Sequence, residues 1–63
     1  MTQKELSYVE DAVGHERSII GICEDAVKNL SDENFVTYMQ NEISTHQDME
    51  NKLMTLLKEK ANG

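Results

Sequence analysis

Residues 29–33, Asn29-Leu30-Ser31-Asp32-Glu33, are the one convincing break in a 63-residue chain that otherwise reads as helix. Ser31 or Asp32 can cap a helix, because a short side-chain oxygen accepts from backbone N–H groups that the first turn leaves unpaired. Asp32 and Glu33 also put negative charge at the positive end of the helix dipole. A connection this short forces an antiparallel hairpin. The boundaries predict a first helix over about 3–29, a turn at 30–31 and a second helix over about 32–60, all in one small domain spanning 1–63.

Upstream of the break, Leu6, Val9, Val13, Ile20, Cys23, Val27 and Leu30 recur at alternating three- and four-residue steps, the period of a helix face that packs on another helix. Ala12, Ile19 and Ala26 widen this stripe on one side, beyond what a two-stranded coiled coil needs and about right for a bundle. Downstream, Phe35, Met39, Met49, Leu53 and Leu56 repeat the stepping, with Tyr38 and Leu57 flanking. Lys58 and Lys60 suit the negative end of the second helix, and Asn62 and Gly63 are expected to close it. The fold class is therefore expected to be all-α.

A chain of 63 residues buries a modest fraction of its surface, so a lone hairpin is expected to be marginal and to self-associate. Helices of roughly 40 Å, at ~1.5 Å per residue, would leave one side of the stripe wet. Two hairpins packed face to face into a four-helix bundle would cover it, making a homo-oligomer of at least two chains the expected partner state.

Twelve acidic residues against six basic give a formal charge of −6, which repels phosphate backbones and argues against nucleic acid. The opening residues lack an apolar run of signal-peptide length, and no stretch approaches the ~20 apolar residues that cross a bilayer. A cytoplasmic protein without membrane contact is expected. Cys23, the only cysteine, falls on the apolar face and reads as a small buried hydrophobe. Met39, Met49 and Met54 read as core packing rather than copper ligands.

Three polar residues interrupt the seam. Glu16 takes the missing step between Val13 and Ile20, while Glu42 and His46 fill the steps between Met39 and Met49. Measured from the turn, Glu16 lies about as far back along one helix as the stretch from Glu42 to His46 lies forward along the other, so all three should meet. An unpaired carboxylate in a bundle core costs several kcal/mol, a large part of the total stability of a small domain. A Glu to His⁺ ion pair, a shared proton, water, or a divalent cation bound by Glu16, Glu42 and His46 could each compensate. Doubled by a face-to-face dimer, the set would amount to four carboxylates and two imidazoles, the inventory of a di-iron or di-manganese carboxylate bundle. The alternative is an ion-pair layer that sets helix register. Glu50, one turn beyond His46, reads as a solvated rim carboxylate, with a role in orienting the ring as the alternative. Gly14 and Gly21, one heptad apart, either admit a close neighbour or are tolerated on the surface.

Thr2-Gln3-Lys4-Glu5-Leu6, Glu10-Asp11, His15-Glu16, Asp32-Glu33-Asn34-Phe35 and the stretch from Glu42 to His46 resemble small clostridial ferritin-like proteins of the spore coat, the CotF-type group. The resemblance covers nearly the whole chain and implies half of a ferritin-like bundle. It also implies one Glu on the first helix and a Glu followed three residues later by His on the second. Glu16 and His46 fit those places. Glu42 stands four residues before His46, and Ile43 occupies the position three before it, so the ligand pair is rearranged or lost.

Two functions follow as expectations. One is a non-enzymatic helical hairpin that dimerises and serves in spore-coat assembly through contacts with coat or assembly proteins. The other is a ferroxidase-like protein binding iron or manganese through Glu16, Glu42 and His46 at the dimer interface.

Overall fold

Thr2 starts the first helix: its hydroxyl accepts from the Glu5 backbone N–H at 3.1 Å, and the Glu5 carboxylate accepts from the Thr2 N–H at 2.8 Å. This reciprocal capping box pairs two donors that a helix N-terminus leaves without partners. From it, α1 runs over Gln3–Asn29, and α2 over Glu33–Ala61, in a computed structural model that describes residues 1–61. The expected closure at Asn62 and Gly63 lies outside the described residues.

The turn works as its residues suggest. Leu30 is extended, with φ −89° and ψ 139°, and its N–H donates to the Ala26 carbonyl to finish α1. The Asn29 side chain donates to the Asp25 carbonyl at 2.7 Å, a further tie across the last turn. Asp32, rather than Ser31, caps α2: its Oδ1 accepts from the N–H groups of Asn34 at 2.9 Å and Phe35 at 3.3 Å. The helix ends match the expected 3–29 and 32–60 to within a residue.

The two helices pack antiparallel into a rod of 46 × 14 × 11 Å. Its apolar interior is thin. Among the described residues, Val13, Ile20 and Cys23 are the buried hydrophobic side chains and Glu16 the buried polar one, and none falls below 2% exposure. From α2, Val36, Met39, Ile43, His46, Glu50, Leu53, Leu56 and Leu57 are half-buried.

Two expected core steps of α2 lie elsewhere, since Phe35 is 58% and Met49 43% exposed. A stripe of three- and four-residue steps spans more of the helix circumference than one neighbouring helix can cover. α2 turns the edge with Met39 and Ile43 toward α1 and leaves the Tyr38 and Met49 edge uncovered. Gly14 and Gly21 face open space, for a Cβ at either would meet nothing within 4 Å. Neither glycine serves a close approach within the hairpin. Among the described residues, no helix is long and apolar enough to cross a membrane.

Candidate functional site

Glu16 sits at the middle of α1, where the helix period turns it inward between Val13 and Ile20, and it is 9% exposed. The antiparallel pairing brings it opposite His46, thirty residues further along the chain. His46 Nδ1 hydrogen-bonds Glu16 Oε2, and its Nε2 faces Glu42 Oε2 at 3.4 Å, one helical turn back on α2. The three residues singled out in the sequence therefore meet through the imidazole ring. The Glu42 side chain is the outermost, 37% exposed against 12% for Glu16 and 18% for His46.

This setting favours the charged ring. The hydrogen bond to Glu16 raises the His46 pKa above its ordinary value; burial opposes the shift, and the charges of Glu16 and Glu42 add to it. An imidazolium carries two N–H donors, one for each carboxylate, so neither ring nitrogen is left without an acceptor. No buried side-chain nitrogen or oxygen among the described residues lacks a hydrogen-bond partner. The layer is compensated from within.

The same geometry bears on iron or manganese. A metal-bound imidazole gives one nitrogen lone pair to the ion and donates its other N–H to an acceptor. Here Glu16 and Glu42 approach different nitrogens on different edges of the ring, so an ion on either nitrogen would reach one carboxylate and not both. No group of three or more His, Cys, Asp or Glu side chains among the described residues is arranged to hold a metal ion. Within one hairpin the donor set makes a bridged ion pair rather than a chelate.

Glu50, expected at a solvated rim, instead accepts from Arg17 Nε at 2.9 Å and is itself only 21% exposed. Arg17 Nη2 also donates to Met54 Sδ at 3.8 Å. This second tie between the helices is absent from the sequence reading. The charge signs of Arg17 and Glu50 were the one available signal, because a long guanidinium arm crosses to a level that the neighbouring Glu16 cannot reach. Cys23 is buried and free, as its place in the stripe suggests. An open groove of about 680 Å³ near the free ends, lined by Asn51, Met54, Thr55, Leu57 and Lys58, is separate from the polar layer.

Comparison with protein-family models, with curated proteins and with solved structures finds no match to this chain. What the molecule does must be argued from its own geometry.

Proposed function

We propose that the chain is a non-enzymatic structural subunit: a helical hairpin that pairs with a second copy into a ferritin-like four-helix bundle, with the Glu16–His46–Glu42 layer setting the register of its helices. The observation that carries this reading is the mismatch between interior and surface. Three apolar side chains are buried among the described residues, while Tyr8, Ile22, Phe35 and Tyr38 are each more than half exposed. Large apolar side chains gathered on a small rod are characteristic of a surface awaiting a partner.

The polar layer supports a register role over metal chemistry. Both ring nitrogens already have carboxylate partners, and an ion pair of fixed geometry in a thin apolar seam is satisfied at one alignment of the helices. Slipping α2 by one turn would leave Glu16 buried without its imidazole, a cost of several kcal/mol. The sequence resemblance to ferritin-like spore coat proteins supplies a setting for such a subunit: assembly into a coat through protein contacts.

Light scattering and elemental analysis on one sample, expressed in medium supplemented with iron and manganese, test the reading. A dimer mass with no stoichiometric metal is expected. A monomer at every concentration, or one or two metal ions per pair of chains, would overturn it.

A further inference from the structure

Which surface meets the second copy, and in which direction, can be read from the distribution of side chains around the rod. At about 100° per residue, the exposed large apolar residues of both helices fall to one side of the plane through the two helix axes, except Met54, 41% exposed, which lies on the other side against Arg17. Tyr8 and Ile22 of α1 and Tyr38 and Met49 of α2 lie there exposed, with the half-buried Ile19 and Leu56 beside them. The opposite flank is identified by its contacts, because Arg17 reaches across it to Glu50 and Met54. Tyr8 is 62%, Ile22 69% and Tyr38 58% exposed, so these are not marginal positions of the seam.

The area fits one partner. The hairpin exposes 4869 Å², against about 4100 Å² for a compact folded monomer of its 7.2 kDa mass. The excess of about 750 Å² comes from the elongated shape of the rod, and it is of the same order as the ~800 Å² that each side of a standard interface buries.

Direction follows from charge. Two like flanks facing each other around a two-fold axis can be related in two ways, with their turns at the same end or at opposite ends. Glu16 is paired with His46, while Glu42, the outermost of the three, brings a carboxylate to this flank near the middle of the rod. With turns at the same end, both Glu42 carboxylates share one level of an apolar interface and repel. With turns at opposite ends, α2 lies antiparallel to its counterpart. Glu42 and Lys52 are each five residues from Gln47, the midpoint of α2, so Glu42 then shares a level with Lys52 of the second copy. The two Glu42 residues are separated by about 15 Å along the rod at ~1.5 Å per residue, more than the ~8 Å screening length.

Resting on the dimer proposed above, we infer that the second copy docks on the flank carrying Tyr8, Ile19, Ile22, Tyr38, Met49 and Leu56, with the two turns at opposite ends of the bundle and Glu42 facing Lys52 across the interface.

Three measurements separate this from the dimer proposal itself. Sedimentation of the wild type should give a dimer; a monomer overturns both. Ile22→Glu and Tyr38→Glu should each give a helical monomer where the wild type is dimeric, while Gln47→Glu on the Arg17 flank stays dimeric. If both flank variants dimerise like the wild type, the dimer stands and the docking surface is wrong. A spin label at Ser31→Cys, in a Cys23→Ala background, should report a turn-to-turn distance near the 46 Å length of the rod. A distance below half of that overturns the direction. Should that background fail to dimerise, Lys52→Gln decides the direction alone. This substitution removes the charge of an exposed side chain and should weaken the dimer severalfold, and unchanged affinity overturns the pairing with Glu42.

Discussion

His46 is the residue on which the polar layer depends, because it touches a carboxylate from each helix, Glu16 on α1 and Glu42 on α2. Its pKa is raised in the folded state, chiefly by the hydrogen bond to Glu16, so folding takes up a proton that the unfolded chain holds less tightly. The resulting stability is fully present below the unfolded histidine value of about 6.5 and is lost as pH rises through the folded value. Thermal melts followed by circular dichroism should show the wild type losing stability from about neutral pH upward, with His46→Gln lower at acidic pH and flatter across the same range. A wild-type profile without this descent would count against a charged ring. That these three residues meet was legible from the turn, since His46 lies about as far beyond it as Glu16 lies before it and Glu42 is one helical turn from His46. Which oxygen meets which nitrogen was not, since sequence spacing sets levels and faces but not the edge of a ring. The Arg17–Glu50 tie escaped for a related reason: two long side chains reach across levels that helix geometry alone would keep apart.

The helices themselves were largely readable, because local chemistry decides where they start and stop. Asp32 was one of two candidate caps, and it takes the role with two backbone N–H groups. Thr2 and Glu5 carry the Thr-x-x-Glu signature of a capping box, a signal present in the sequence but not used to start α1. Glu5 is held below the usual carboxylate range by the backbone and side-chain hydrogen bonds with Thr2, so its contribution is lost as pH falls through the lowered value. Thr2→Ala and Asp32→Ala should each destabilise by about 1 kcal/mol in urea denaturation, the usual cost of losing a cap. Gly14→Ala and Gly21→Ala act in the other direction. With nothing within 4 Å of the added Cβ, each should stabilise by up to about 1 kcal/mol. A destabilised dimer in either glycine variant would reveal a neighbour that the hairpin alone does not contain. Less of the inward face was legible: Phe35 and Met49 carry the period of core residues yet stay exposed, because periodicity defines a stripe and the neighbouring helix selects which part of it to cover.

A rod 46 Å long and 11 Å thick cannot have much interior, and this governs the molecule's stability more than any single contact. Domains below about 70 residues rarely draw more than about 3–5 kcal/mol from one core, and here three apolar side chains make up the buried core among the described residues. If the exposed flank is where a second copy binds, folding and association are linked, and the melting temperature must depend on concentration. A tenfold rise in concentration adds about 1.4 kcal/mol to the association side of the equilibrium, which for chains of this size corresponds to a rise of several degrees in Tm. Scans over a hundredfold range of concentration should therefore shift Tm upward step by step, while Ile22→Glu should melt at a low temperature that does not change with concentration. A wild-type Tm independent of concentration would mean that the hairpin is stable on its own, and the large exposed side chains on one flank would then need a different explanation from a second copy of the chain.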